Sequence, residues 1–463
     1  VGLTLALDLA QRGVPVVLLD DDDTVSTGSR AICFAKRTLE VFARLGLGPR
    51  MKAKGITWNL GRVFAGEREV FSFDLLPETG HEYPAFVNLQ QYYVEEWLVE
   101  ACQAVGVALR WRHRVTALEP RADGVTVTVA TDAGPYTLQA GWLLACDGAR
   151  SFVRETMGLP FVGRVFRDRF LIADVRMQAA FPTERWFWFD PPFHPNQSAL
   201  LHRQPDDIWR IDLQLGWDAD PEIERDPARV RARVQAMLGP DVPFELEWVS
   251  IYTFRCRRLE RFVHGRVVFV GDSAHQVSPF GARGGNGGVQ DADNLAWKLA
   301  AVLGGAAPSL IGTYDDERIR AADENILHST RATDFITPKT AAARAYRDAV
   351  LSLAATHPFA RAMVNSGRLS RPCRLALGGD SDAWAGVRPG DPAVDCPVGD
   401  GWLLQRVGPS FTLLAFGCDT ASVPGVTVVT LPATGLAAQR YGAPPGGCVL
   451  LRPDQHVLAT FTH

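Results

Sequence analysis

Residues 271–288 read GDSAHQVSPFGARGGNGG, and this stretch decides the fold of the chain. It follows the apolar run 267–270, which is typical of a buried strand, and leads into VQDADNLAWKLAAVL, where apolar residues recur at helical intervals. The pattern predicts a strand, a loop and a helix that begins near residue 285. Six glycines lie in the stretch, more than a tight strand-to-helix turn needs. Because glycine has no Cβ, we infer that another group approaches the backbone closely here.

The start of this helix indicates what that group is. Free N–H groups at the positive end of a helix dipole favour a negatively charged partner. A phosphate and the anionic edge of a reduced flavin are the two candidates. Asp272 comes directly after the strand, where a carboxylate can accept hydrogen bonds from neighbouring hydroxyl groups.

Composition narrows the class of protein. With 463 residues and a mass of 50.7 kDa, the chain is expected to form more than one domain. A net charge of −4 and a pI near 6.2 give no reason to expect nucleic-acid binding. No uninterrupted apolar stretch is long enough to predict a membrane span. The eight cysteines are widely scattered, so no metal site or C-x-x-C motif is predicted, and a cytoplasmic protein is expected.

The beginning of the chain looks like the second half of a βαβ unit. Gly2 opens the apolar segment LTLALDLAQR, and the run VPVVLL then ends at Asp20. In a dinucleotide-binding fingerprint, the last glycine packs the helix on the strand and a later acidic residue binds a ribose. Asp20 is equally compatible with a solvated turn, since three more aspartates follow it. We expect the first strand and glycines of the motif to precede Val1.

The pattern along the chain predicts three domains. Residues 31–55 and 88–105 are predicted helices, residues 106–146 have a period of two, and strands dominate residues 164–254 before the α/β pattern returns. The predicted divisions are an α/β domain in two parts (1–160 and 256–366), an inserted, mostly antiparallel sheet (161–255), a linker (367–400) and a small C-terminal domain (401–463).

Three motifs together give a specific resemblance. They are Val1-Gly2-Leu3 with Asp20, the segment CDGARS at 146–151, and the segment GDSAH at 271–275 with its glycine-rich continuation. The chain resembles the single-component FAD-dependent aromatic hydroxylases, the group of para-hydroxybenzoate, phenol and 3-(3-hydroxyphenyl)propionate hydroxylases. The resemblance implies an α/β fold: a Rossmann-like FAD-binding domain, the inserted sheet, and a thioredoxin-like C-terminal domain.

The resemblance also implies roles for individual residues. Asp20 would hold the adenosine ribose, Arg30 the pyrophosphate and Asp272 the ribityl hydroxyls, while the backbone of Pro279 would face the flavin. His275 is expected to be a structural hydrogen-bonding residue. The full set of implied FAD contacts is Gly2, Asp20, Arg30, Gln91, Asp147, Gly148, Gly271, Asp272, Gly281, Gly284, Gly285 and Asn286.

The chemistry implied is aromatic hydroxylation through a flavin C4a-hydroperoxide. No second dinucleotide fingerprint is present, so NADH or NADPH is expected to visit, reduce the FAD and leave. The expected partners are a small aromatic substrate, O₂ and NAD(P)H, with a homodimer left open and neither nucleic acid nor membrane expected. Two alternatives stay open: a polyketide-tailoring oxygenase, including Baeyer–Villiger chemistry, and a flavin protein that sequesters an aromatic ligand without turnover.

The inserted strands supply the candidate substrate contacts. In DIWRIDLQL, alternation places Arg210, Asp212 and Gln214 on one face, where Arg210 could contact flavin or substrate or could simply be solvated. His202 and Tyr252 are the candidates for handling a phenol proton, which makes them catalytic candidates together with Arg210 and Pro279. Trp186 and Trp188 are candidate ring contacts, with plain core packing as the alternative.

Overall fold

The computed structural model describes residues 1–179, 181–364, 370–377, 382, 384 and 386–462. The predicted linker at 367–400 therefore lies partly outside the described residues. Over the described residues, the α-helices are α1 (Gly2–Gln11), α2 (Lys36–Arg44), α3 (Gly48–Lys54), α4 (Gln91–Ala104), α5 (Phe152–Thr156), α6 (Pro221–Glu224), α7 (Pro227–Leu238), α8 (Gly284–Leu303), α9 (Ser309–Ile336), α10 (Ala341–Ala354), α11 (Pro358–Arg361), α12 (Leu403–Arg406) and α13 (Leu436–Tyr441).

The strands of the same residues build several sheets. They are β1 (Val17–Leu19), β2 (Cys33–Ala35), β3 (Ile56–Trp58), β4 (Leu60–Ala65), β5 (Arg68–Asp74), β6 (Phe86–Asn88), β7 (Ala108–Arg110), β8 (Arg114–Pro120), β9 (Val125–Ala130), β10 (Tyr136–Ala140), β11 (Leu143–Ala145), β12 (Phe161–Arg176), β13 (Arg185–Phe189), β14 (Ser198–Arg203), β15 (Ile208–Leu215), β16 (Glu245–Leu259), β17 (Val263–His264), β18 (Val267–Phe269), β19 (His275–Gln276), β20 (Pro397–Val398), β21 (Gly401–Trp402), β22 (Phe411–Phe416), β23 (Val426–Leu431), β24 (Gly447–Leu451) and β25 (Val457–Thr462).

The Rossmann-like domain combines parallel strand pairs with buried helices. Strand β1 pairs in parallel with β7, and β11 pairs in parallel with β18. Helix α8 begins at Gly284, one residue from the predicted start, and packs closely against α1. A Cβ on Gly288 would come within 2.5 Å of the Val1 side chain, so this glycine is needed for packing. The Rossmann-like α/β class expected from the sequence is confirmed.

The inserted sheet is larger than the sequence predicted. Its strand order is β19-β16-β12-β15-β14-β13-β4-β5 over the described residues, and we refer to these strands as the large sheet. All neighbours are antiparallel except β13 and β4. Strands β4 and β5 lie before the predicted division at residue 161. They form one edge of the large sheet, whereas the central strands β12 and β15 come later in the chain. Chain order did not indicate this long-range parallel pairing.

The prediction of one helix over residues 31–55 is wrong at its start, which is a strand, and the rest forms two helices and not one. Residues 33–35 form β2, which pairs with β6, and the helical segment is divided into α2 and α3. Gly46, between the two helices, has φ +89°, a conformation that interrupts a helix and that glycine adopts readily. The apolar periodicity continued across the break because residues of both helices pack into the same hydrophobic cluster.

The C-terminal domain is built on a four-stranded mixed sheet in the order β23-β22-β24-β25. Strand β24 is antiparallel to both of its neighbours, while β22 and β23 are parallel. This arrangement fits the thioredoxin-like domain that the resemblance implies. All eight cysteines of the chain are free, and the Sγ atoms of Cys418 and Cys448 lie 3.8 Å apart in this domain. Among the described residues, no helix combines the length and apolar character needed to cross a bilayer.

Buried charges join the C-terminal domain to the FAD-binding domain. Both terminal nitrogens of Arg452 lie 2.9 Å from the Glu317 carboxylate on α9, and Arg452 also binds Asp454. From the other side, Arg37 donates to the Asp454 carbonyl at 2.7 Å and pairs with Asp293 of α8 at 3.1 Å. All five side chains are buried. The two domains therefore share an interior of compensated charge.

Replacing Arg452 by alanine should destabilise the protein by about 3–5 kcal/mol, because Glu317 and Asp454 would stay buried without their main cation. Chemical denaturation followed by tryptophan fluorescence measures this loss. The matched control is Arg121→Ala, which removes an exposed pair with Glu119 at 3.6 Å and should cost less than about 1 kcal/mol. Equal losses in the two variants would contradict the role given to Arg452.

Candidate active-site cavity

A cavity of about 1220 Å³ lies between the Rossmann-like domain and the large sheet. It runs from the ends of β1 and β11, past the loop before α8, to the inward face of the large sheet. The lining includes most of the residues predicted from the sequence: Gly2, Asp20, Arg30, Gln91, Asp147, Gly148, His202, Arg210, Tyr252, Asp272, Pro279, Gly281, Gly284, Gly285 and Asn286. Three predicted residues, Gly271, Trp186 and Trp188, are not in this lining.

The carboxylate of Asp272 opens onto the cavity at the end of β18. Removal from bulk water raises its pKa, against the lowering effect of nearby His275. The preceding Gly271 has φ +67°, which glycine adopts without strain, and its amide donates to Asp291 at 3.1 Å. Gly271 therefore shapes the turn that presents Asp272 and does not itself face the cavity.

Asp291 on α8 holds this turn through contacts with Gly271 and His275. Its carboxylate lies 2.6 Å from Nε2 of His275 and 2.6 Å from Nε of Arg318, and all three side chains are buried. Burial alone would raise the pKa of Asp291, but His275 and Arg318 hold it at about 2. His275 thus has the structural hydrogen-bonding place expected for it.

The glycines at the start of α8 have different reasons to be glycine. A Cβ on Gly285 would come no closer than 3.6 Å to the protein, and one on Gly284 no closer than 3.7 Å. Neither has a positive φ, so protein packing does not require glycine at these two positions. The space that a side chain would fill belongs to the cavity, next to helix-start amides that have no helical acceptor. This arrangement fits a flat, anionic group held against the backbone, as FAD would be.

Asn286 lines the cavity, and its side chain is used within the protein. Its Oδ1 accepts from the Ala35 amide at 2.9 Å, and its Nδ2 donates to the Cys33 carbonyl at 2.9 Å. Asn286 thus ties β2 to α8, and what remains for a ligand is its backbone. Gln91 likewise accepts from the Ala31 amide at 3.0 Å and braces the loop that carries Arg30.

The other predicted FAD contacts lie at strand and helix ends. Asp20 follows β1, and its partial burial raises its pKa although the Asp22 amide donates to it at 3.0 Å. Asp147 follows β11 and accepts from the Val153 amide at 3.0 Å, which holds the start of α5. Arg30 is exposed, has φ +43° and lines the cavity. These positions offer carboxylates for hydroxyls and a guanidinium for phosphate.

On the large sheet, Arg210 is buried and tightly held, so the solvated alternative is wrong. Its Nε donates to Asp174 at 3.1 Å, and its terminal nitrogens donate to the Ser29 hydroxyl and the Arg30 carbonyl. Ser29 in turn donates to Asp174. Arg210 therefore connects the large sheet directly to the loop that follows β1.

Near Arg210 lie polar groups that the sequence analysis did not select as site residues, namely Asp174, Arg185 and Asp212. Cross-strand register aligns Asp174, Arg210 and His202 on three neighbouring strands, and Arg185 and Asp212 also line the cavity. Alternation in DIWRIDLQL did place Asp212 on the face of Arg210. The missing signal was the pairing of β15 with β12 and β14, which a single sequence does not contain.

The two proton-handling candidates line the cavity but differ in their surroundings. His202 is buried, and burial together with Arg185 and Arg210 puts its pKa well below the usual value. Tyr252 has its phenol pKa raised by desolvation and by the charge of Asp272. At neutral pH, His202 is therefore uncharged and Tyr252 keeps its proton, so Tyr252 can donate a hydrogen bond but is a poor base.

Trp186 and Trp188 lie on the opposite face of the large sheet, which corrects their assignment as substrate contacts. Their rings pack with Phe64 and Phe181 at centroid distances of 5.2–5.5 Å. The intervening Phe187 faces the helices on the cavity side of the sheet. Because both faces of β13 are covered, its apolar character did not show which face borders the cavity.

Comparisons with known proteins identify similar flavin-dependent enzymes. The FAD binding domain family matches residues 1–329. A flavin-dependent monooxygenase of Mycobacteroides abscessus is 30% identical over 98% of this chain and 94% of its own length. The 6-methylpretetramide 4-monooxygenase of Streptomyces rimosus is 33% identical over 99% of this chain and 88% of its own. The solved structure of the flavin-dependent monooxygenase PieE, with FAD and substrate, has a TM-score of 0.81 at 25% identity, over 99% of this chain and 94% of that one.

Asp272→Ala should weaken FAD binding by about tenfold to a hundredfold, since a hydrogen bond to a charged group contributes about 1.5–3 kcal/mol. The dissociation constant is measured by titrating deflavinated protein with FAD and following flavin fluorescence. Asp316→Ala, at an exposed position of α9, is the control and should bind FAD like the wild type. Unchanged affinity in Asp272→Ala would remove Asp272 from the FAD site.

Gly285→Val should lower FAD content without unfolding the chain, because the added methyl groups project into the cavity and not into protein atoms. Gly312→Val serves as control, since Gly312 is also helical and has no atom within 4 Å of an added Cβ. The measurement is flavin absorbance per mole of purified protein, with circular dichroism to check folding. Full flavin content in Gly285→Val would show that FAD does not lie against this helix start.

Proposed function

Because the chain belongs to the FAD binding domain family and is a flavin-dependent monooxygenase, we propose that it hydroxylates a phenolic or related aromatic ring, with NAD(P)H as reductant and O₂ as oxygen source. The observation that carries this proposal is the continuity of the cavity. It leads from the helix-start amides and Asp272 to a sheet face where Arg210 and Asp212 lie beside Phe170 and Leu200. Apolar walls with a few polar groups are typical of a site that orients a flat ring.

FAD, when bound and reduced, supplies the activation of O₂. The residues of this chain bind and orient the reactants. Asp272 accepts hydrogen bonds from hydroxyls, Arg30 offers a charge for phosphate, and the backbone from Pro279 to Gly285 borders the space between the cofactor side and the large sheet. Phe280, buried against Phe170 and Phe254 at centroid distances of 5.1 Å, keeps part of this wall apolar. Such a wall excludes water from the ring.

A polyketide-tailoring oxygenase is the second candidate function. It is favoured by the relative named as a 6-methylpretetramide 4-monooxygenase, which aligns with nearly the whole chain. The same cavity can serve both candidates, because both need a ring held between the large sheet and the cofactor. Aromatic hydroxylation leaves the ring intact, whereas Baeyer–Villiger chemistry inserts oxygen into a carbon–carbon bond.

The cytoplasmic location expected from the cysteines stays a prediction.

The test is NADH and NADPH oxidation by the FAD-loaded protein, with and without a panel of phenols and aromatic polyketides, in isotopically labelled O₂. A true substrate should stimulate oxidation and gain one labelled oxygen atom, located by mass spectrometry. Release of all the oxygen as hydrogen peroxide would reduce the ligand to an effector. If no ligand stimulates oxidation, hydroxylation is contradicted, and a flavin protein that sequesters its ligand without turnover is favoured.

A further inference from the structure

Asp212 has a carboxyl group that the fold leaves without a partner. It lies in the middle of β15 and lines the cavity. Its Oδ1 is buried, and no atom of the residues the structure describes forms a hydrogen bond with it. Asp174, on the neighbouring strand, is bonded to Arg210, Ser29 and Gln204. A buried carboxylate oxygen without a donor is costly, so this position indicates a donor that arrives with a ligand.

We propose that Asp212 is the catalytic base that accepts the hydroxyl proton of the aromatic ring, an inference that rests on the proposed function. The backbone of Asp212 pairs with Ile172 and Leu200 on the strands to either side, so the carboxyl group emerges between two apolar side chains. A ring packed on those side chains presents its hydroxyl to the carboxylate. This contact would give the unpartnered oxygen its donor and the ring its orientation.

The charged groups around Asp212 favour it over His202 as the base. The charged groups are Arg210 on its own strand, Arg185 on β13 and Asp174 on β12, while the neutral thiol of Cys33 lies on β2. The two arginines disfavour a second positive charge, which is why His202 beside them stays neutral. The same arginines favour a carboxylate over a neutral acid. They would also stabilise the negative charge that develops on the ring oxygen.

Burial raises the pKa of Asp212 to about 6, in opposition to the nearby Arg210. A base is most effective when its pKa lies near the working pH, because it is then both ionised and able to hold a proton. Asp212 would be ionised at neutral pH and protonated below pH 6. Activity carried by this group should therefore fall as the pH drops through about 6.

The step is balanced within the proposed reaction. The substrate O–H bond breaks as an O–H bond forms on Asp212, and the electron pair left on the ring oxygen raises the electron density of the ring. The ring carbon then attacks one oxygen atom of O₂ that two electrons from NAD(P)H have reduced. The O–O bond breaks, and the second oxygen atom leaves as water. The hydrogen on the attacked carbon is lost as a proton when the ring becomes aromatic again, and Asp212 returns its proton to the ring oxygen.

The experiment compares FAD-loaded wild type, Asp212→Asn, Asp212→Glu and, as control, Asp207→Asn in an exposed turn. Asp212→Asn should lower kcat by about a hundredfold, within the range for loss of a general base, and should abolish the fall in kcat/KM near pH 6. Asp212→Glu should restore part of the rate and the pH dependence. Asp207→Asn should behave as wild type.

Binding of 4-nitrophenol provides a readout independent of turnover. Because the pKa of Asp212 is about 6, below that of the phenol, the proton shared in the wild-type complex should rest mainly on the ligand and pass to Asp212 only as the ring reacts. Asp212→Asn, with its arginines kept, should bind more of the ligand as the phenolate, detected by difference absorbance at pH 7.5. The variant should also unfold at the same or higher temperature at that pH, since an unpartnered buried charge is removed.

These outcomes separate the inference from the proposed function. The same ionisation state of 4-nitrophenol in both proteins, no binding to the wild type, or an unchanged pH profile in Asp212→Asn would overturn the role of Asp212. A wild type that hydroxylates no ring but shows the ionisation difference would overturn the proposed function and the catalytic role, while leaving the contact between Asp212 and a bound hydroxyl supported.

Discussion

The buried contact of Arg210 with Asp174, Ser29 and Arg30 is the interaction on which the site depends. It joins the middle of the large sheet to the loop that follows β1, two segments far apart in the chain. This contact holds the large sheet and the loop, which form two walls of the cavity, in one geometry. A charged pair suits this place because leaving either partner buried alone would be costly, so the two surfaces are stable only when joined.

Four carboxylates that the fold positions in its interior or on the cavity fall into two groups with opposite roles. Asp291 and Asp454 are buried against cations that lower their pKa, to about 2 for Asp291. They hold the turn beneath the cofactor side and the junction with the C-terminal domain. Asp272 and Asp212 open onto the cavity, and desolvation raises their pKa. The protein thus compensates charge fully where it needs rigidity and leaves it incompletely compensated where ligands are expected.

The sequence predicted most of the fold but only some of the residues that distinguish the site. The glycine-rich stretch gave the strand, the turn and the helix start to within one residue, because these features depend on local backbone chemistry. Trp186 and Trp188 were assigned to the wrong face because β13 is apolar on both sides. The unpartnered oxygen of Asp212 and the bonds of Arg210 arise from pairing between strands distant in sequence. Local periodicity specifies which residues share a face, and only tertiary pairing specifies what that face meets.

The register of β15 also has an evolutionary consequence. Arg210 and Asp212 are two positions apart on one strand, yet they are constrained to different degrees. Exchange of Arg210 disturbs three partners at once, so a lineage can change it only with compensating substitutions. Apolar neighbours of Asp212, such as Ile172 and Leu200, line the cavity, and their side chains form no hydrogen bonds or ion pairs, so a change there disturbs packing alone. Substitutions that adapt the protein to new rings, in nature or in a designed library, should therefore accumulate at positions such as Ile172 and Leu200. The neighbouring positions Asp174 and Arg210 should stay unchanged.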